Sequence, residues 1–116
     1  MSKGEGELPE RARLVAQAFN DGDSIPTLME RHQVKIGTIL DHLLKYAQAG
    51  NPLRKGAEVE ALSSAAPKQR QAVFAAFAEL GATYLKPVYD KMNGTLNYDE
   101  LKILRVAYII SQQEKP

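Results

Sequence analysis

Apolar residues recur at helical spacing along most of the chain, and nowhere do they alternate as a half-buried strand requires. The clearest run is Ile36, Ile39, Leu40, Leu43, Leu44 and Ala47, which follows i, i+3, i+4, i+7, i+8, i+11 and makes one apolar stripe. Thr38, Asp41, His42 and Lys45 occupy the opposite face of the same helix. Gly50-Asn51-Pro52 ends it. Upstream, Pro9 suits a first helical turn, and Leu14, Val15, Ala18 and Phe19 carry a helix that Asn20-Asp21-Gly22-Asp23 terminates. Ser24 is placed to cap a short second helix, with Pro26 in its first turn and Ile25, Leu28, Met29 and His32 on one face. Gln33-Val34-Lys35 is the tight link from this second helix to the third.

The second half reads as more helix. Residues 58–64 form a short piece. Residues 67–80 carry Val73, Phe74, Phe77 and Leu80 and stop at Gly81, and residues 84–92 carry Leu85, Val88, Tyr89 and Met92 and stop at Asn93-Gly94. Asn97-Tyr98-Asp99-Glu100 has the spacing of a capping box, with Asn97 as cap and Glu100 reaching back to it. Leu101, Leu104, Ala107, Tyr108 and Ile110 then continue a last helix. The fold class that follows is all-α, with six or seven helices. Its first three form a tri-helical bundle, extended by further C-terminal helices that cover apolar surface three short helices leave wet. The expected boundaries are a disordered N-terminal segment over 1–8, one helical domain over 9–112, and a C-terminal tail over 113–116. No repeat of fixed period is present, and the stretch 51–59 has no strand signal for a β-wing.

A short helix, a three-residue link and a longer, strongly amphipathic helix make the outline of a helix-turn-helix. In that arrangement the second helix braces the third. Burial of Ile39, Leu40, Leu43 and Leu44 turns Thr38, Asp41, His42 and Lys45 outward, where a helix about 10–12 Å wide fits the major groove of a duplex. The same outline also serves as a purely structural corner in all-α proteins.

Composition narrows the chemistry. The chain has 116 residues, enough for one small domain, with 44% apolar and 25% charged residues. There is no Cys, which excludes disulfides, thiol catalysis and Cys–zinc sites. Without a signal peptide or an apolar run long enough to span a bilayer, the expectation is a cytoplasmic protein, nucleoid-associated in a bacterium, with no membrane partner. The formal net charge is only +1, but it is unevenly spread. Residues 24–55 hold five cations and two acids, against three cations and five acids in residues 1–23 and seven of each in residues 56–116. The positive excess thus coincides with the helix-turn-helix.

At these residues the sequence resembles the helix-turn-helix domain near the C-terminus of RecQ-type and related helicases. The stretch 24–43 carries Thr38-Ile39-x-x-His42-Leu43 after a bracing helix and a short turn. Gly50-Asn51-Pro52-Leu53 resembles the break that follows. Leu85-Lys86-Pro87-Val88-Tyr89 with Asn97-Tyr98-Asp99-Glu100-Leu101-Lys102 resembles the closing segment. The resemblance covers about residues 10–110 and implies a helicase accessory module whose motor lies elsewhere, since no Gly-x-x-x-x-Gly-Lys-[Ser/Thr] occurs here. Gly37 stands where such helices carry a polar, helix-favouring residue, which removes one base contact and points away from sequence-specific reading.

The candidate DNA-binding residues are Lys35, Thr38, His42, Lys45, Arg31, Arg54 and Lys55. Lys35 and Lys45 are the best phosphate ligands, against solvated surface charge as the alternative. Thr38 either contacts the nucleic acid or serves the first turn of its helix. His42 either donates to phosphate or base, most readily when protonated, or closes the helix corner half-buried. Arg31 is weaker because a neighbouring acid can pair with it, and Arg54 and Lys55 follow Pro52 in a loop that can touch the backbone from the flank. Asp21-x-Asp23 lacks the Gly and the distal Glu of a calcium loop, the two His residues have no acidic partner at metal spacing, and Asp99 and Glu100 diverge as helix neighbours. No catalytic residue, metal or cofactor is therefore expected. The leading reading is a non-catalytic accessory domain that contacts duplex or junction DNA through phosphates, with low sequence specificity. About three to four neutralised phosphates give a slope of log K against log salt near −3. The alternative is a protein-interaction or spacer module that docks on the parent helicase or on a replication or repair partner, favoured by the near-neutral charge, Gly37 and Asp41.

Overall fold

A computed structural model describes residues 8–54 and 57–113. Of the disordered segment expected over 1–8, residues 1–7 lie outside the described residues, as do residues 114–116 of the tail expected over 113–116 and the candidate Lys55. Seven helices and no strand are present among them: α1 Glu10–Asn20, α2 Ile25–His32, α3 Ile36–Gln48, α4 Ala57–Glu60, α5 Pro67–Leu80, α6 Lys86–Lys91 and α7 Tyr98–Gln113. The all-α, tri-helical reading is correct. The contacts divide the chain between residues 54 and 55 into two compact units, where the sequence reading draws one domain over 9–112.

In the first unit α1 packs most extensively on α3, and α2 packs on both. The core is Ala12, Val15, Ala16 and Phe19 of α1, Ile25 and Leu28 of α2, and Ile39, Leu40, Leu43 and Leu44 of α3. Leu14 belongs to the apolar count of α1 but is half exposed, because Ala12 and Ala16, not Leu14, complete the inward face. Ser24 caps α2 as its position predicts, its hydroxyl accepting from the Thr27 N–H at 3.2 Å. The chain leaves α2 through Gln33, whose φ of 53° is left-handed, and the Val34 N–H returns to the Met29 carbonyl at 3.1 Å. That single residue makes the turn.

In the second unit α4 and α5 both pack on α7, and α6 packs on α5. Val73, Ala76 and Phe77 of α5, Val88 of α6, Leu96, and Leu101 and Leu104 of α7 form its core, with Phe74, Leu85, Tyr89, Met92 and Tyr108 packed against it. Leu80 ends α5 exposed. Two local expectations need correcting. The helix expected over 58–64 spans only Ala57–Glu60. Glu100 does not complete a reciprocal capping box. Asn97 caps α7, accepting from the Glu100 N–H at 2.9 Å. The Glu100 carboxylate turns instead to the loop after α4, accepting from the Ser63 hydroxyl at 2.6 Å and from the Ser64 N–H and hydroxyl at 3.1 and 3.0 Å. Those bonds hold residues 63 and 64 in the loop that follows α4. Gly94 follows α6 at φ 67°, and a Cβ there would stand 3.2 Å from the Tyr89 hydroxyl, so this turn needs glycine both for its conformation and for space.

Candidate nucleic-acid interface

The candidate surface is built from the end of α2, the 33–35 turn and the outer face of α3. Complete burial of Ile39, Leu40 and Leu43 fixes the rotation of α3, because a helix that buries one stripe has no freedom about its axis. Lys35, Thr38 and Lys45 are consequently exposed, and Asp41 is half-buried beside them. Among the described residues neither Lys35 nor Lys45 has an acid within ion-pair distance. Lys35 is also the N-cap of α3. An ammonium accepts no hydrogen bond, so no side chain caps the first turn. The Thr38 N–H turns back to the Lys35 carbonyl at 3.1 Å, which leaves the N–H groups of Ile36 and Gly37 without an intrahelical acceptor at the positive end of the helix dipole.

His42 sits differently. Its ring is half-buried, and both nitrogens are shielded from solvent with no hydrogen-bond partner. Burial lowers its pKa below the ordinary 6.5, and the positive charges of Lys45 and of Arg11 on α1 push the same way against Asp41. As it stands the ring is a neutral filler at the corner between α3 and its neighbours, and it presents no polar atom outward.

The two arginines are engaged within the unit. Arg31 Nη1 pairs with Asp23 Oδ2 at 2.8 Å. Arg54 lies over the Phe19 ring, 4.2 Å from its centre, while its Nε donates to the Phe19 carbonyl and its Nη2 to the Asp23 carbonyl at 3.1 Å. Its backbone N–H donates to Asn20 Oδ1 at 2.8 Å, and the Asn20 amide donates to the Pro52 carbonyl at 3.1 Å. Arg54 therefore ties the loop after α3 to the C-terminus of α1, where its charge meets the negative end of the helix dipole. The sequence places Asp23 only in a turn, yet it receives both arginines, Arg31 on its carboxylate and Arg54 on its carbonyl. No periodic signal links residues 8 and 31 positions apart.

With this geometry in view, the comparisons with known proteins decide the family. A family model described as "Helix-turn-helix domain" matches residues 12–105. The chain belongs to the helix-turn-helix domain family. No curated protein and no solved structure matches it. Membership of a helix-turn-helix family suggests DNA binding, and the α2–turn–α3 segment is where such a domain meets a duplex. No described helix of this helix-turn-helix domain is long and apolar enough to cross a membrane. Among the described residues no group of three or more metal-ligating side chains is placed to hold an ion.

Proposed function

We infer that this helix-turn-helix domain is a non-catalytic DNA-binding accessory domain of a helicase, touching duplex phosphates through α3 with low sequence preference. The observation that carries the DNA-binding part is the outer face of α3, where Lys35, Thr38 and Lys45 are exposed and, among the described residues, neither lysine has an acid within ion-pair distance. The uncapped first turn adds backbone donors for one phosphate at the same end. Gly37 and the inward His42 leave few groups to read base edges, which favours backbone contact over sequence reading. The helicase part rests on the resemblance carried by Thr38-Ile39-x-x-His42-Leu43 and the two later blocks. It is tested by whether the natural open reading frame encodes an ATPase motor.

With Arg31 and Arg54 engaged elsewhere, about two lysine–phosphate contacts remain, and the slope of log K against log salt falls to about −2 rather than −3. Fluorescence anisotropy on a short mixed-sequence duplex measures it. Lys35→Ala with Lys45→Ala weakens binding several-fold and leaves the fold intact. Undiminished binding by that double variant overturns the reading.

One observation favours a second reading, a protein-docking or spacer module. Of the five described candidates on or beside α3 (Arg31, Lys35, Thr38, His42 and Lys45), only Lys35, Thr38 and Lys45 are free of partners and open to solvent. An NMR titration with duplex separates the two. Shifts confined to residues 31–55 support DNA, and no shift at high concentration supports docking.

A further inference from the structure

The Arg31–Asp23 pair joins a flexible side chain to an anchored one. Asp23 is held at three points along the backbone: its N–H donates to the Ala18 carbonyl at 3.0 Å, its carbonyl accepts from Arg54 at 3.1 Å, and the next residue, Ser24, caps α2. Its carboxylate is therefore presented from a fixed position. Arg31 lies in the last turn of α2, directly before the turn into Lys35, yet its guanidinium reaches back to an acid that precedes the helix. The side chains are 50% and 37% exposed, so the pair sits in water, where such pairs are weak and exchange readily. A phosphate offers guanidinium the same forked acceptor geometry as a carboxylate.

We propose that Asp23 is a fixed counter-charge that competes with DNA phosphate for Arg31 and so sets the affinity of the α2–α3 surface. The proposal rests on the DNA-binding reading above and deepens it. When Arg31 leaves for a phosphate, Asp23 cannot follow. It stays behind without its partner, and the loss of that pair opposes binding. The arrangement keeps the domain a weak, rapidly dissociating binder, which suits a module that must travel along DNA with a partner enzyme rather than hold one position.

The test is a double-mutant cycle on the full chain, read by anisotropy with a short mixed-sequence duplex over a range of salt. Asp23→Asn keeps every backbone contact of the turn, and Asp23→Ser provides a second, independent replacement. Either change tightens binding by about threefold or more at low salt and steepens the salt slope by about one unit, the signature of one added phosphate contact. Arg31→Ala alone changes affinity little, whereas Arg31→Ala in the Asp23→Asn background abolishes the gain. A gain that survives Arg31→Ala is a bulk charge effect and overturns the proposal. So does unchanged affinity in a variant whose circular dichroism is native. Loss of binding in Lys35→Ala/Lys45→Ala alongside either of those results leaves the α3 reading standing while the counter-charge fails. Absence of duplex binding by both the native chain and Asp23→Asn sinks the two together.

Discussion

α3 and α7 are two long helices that are buried in opposite ways. α3 buries a single stripe, Ile39, Leu40, Leu43 and Leu44, and leaves Thr38 and Lys45 in water. α7 buries Leu101, Ile103, Leu104, Arg105, Val106, Ala107 and Ile110, which together occupy far more than one stripe, with Arg105 donating to the Thr83 carbonyl at 3.3 Å. A helix covered on several sides has no surface left for a ligand, and its residues serve the core. A helix covered on one side presents a rigid polar face whose orientation the core has already set. That difference places the candidate interface on α3, although α7 is the longer helix and carries cations of its own.

The sharpest way to break the comparison is to remove core from each helix. Leu43→Ala and Leu104→Ala both delete fully buried side chains, and each is expected to cost about 2–5 kcal/mol in chemical denaturation. If the two helices differ as described, Lys45→Ala on the open face of α3 stays within about 0.5 kcal/mol, while substitution almost anywhere along the middle of α7 is destabilising.

A smaller effect distinguishes the polar anchors. Glu100→Ala removes the acceptor that Ser63 and Ser64 share and is expected to cost about 1–2 kcal/mol. Burial pushes the Glu100 carboxyl upward, but the hydrogen bonds from Ser63, Ser64 and Ala65 outweigh it and hold the pKa below the ordinary 4.5. A carboxyl lowered on folding stabilises the native state above its unfolded pKa. That contribution is lost as pH falls from about 4.5 through the lowered value. His42 works in another window. Its pKa is also lowered, but for a histidine this means the folded state disfavours the proton. Stability is complete above 6.5 and declines as pH drops below it. An acid titration therefore shows two phases, the upper one removed by His42→Gln and the lower one by Glu100→Gln. A single phase that neither variant alters refutes both assignments.

The smallest expected effect concerns the turn. Gln33 holds a left-handed φ of 53° that glycine adopts without strain, so Gln33→Gly is expected to stabilise by up to about 1 kcal/mol, or less once glycine's extra unfolded-state entropy is counted. Destabilisation there would mean that the Gln33 side chain itself supports the turn.

Much of the architecture was legible from local pattern. The spacing of apolar residues located every described helix but α4, Ser24 and Asn97 were recognisable caps, and the inward set on α3 followed from its periodicity alone. Leu14 and Leu80 show the limit of that reasoning, since both keep helical spacing yet lie exposed where no neighbour covers them. The loop after α4 shows another, because Ser63 and Ser64 are held by Glu100 from 37 and 36 positions away in sequence. Of the candidate site, Lys35, Thr38 and Lys45 were readable as the face opposite the stripe. The engagement of Arg31 and Arg54 with Asp23, and the inward turn of His42, were not.

The amino-acid sequence by itself determined which segments are helical, where they are capped and which face of each turns inward, because those properties depend on residues three or four positions apart. Tertiary structure alone decided which cations stay free. A long charged side chain chooses among acceptors that folding brings within reach, and Asp23, Phe19 and Ser63 come within reach of Arg31, Arg54 and Glu100 only once the helices have packed.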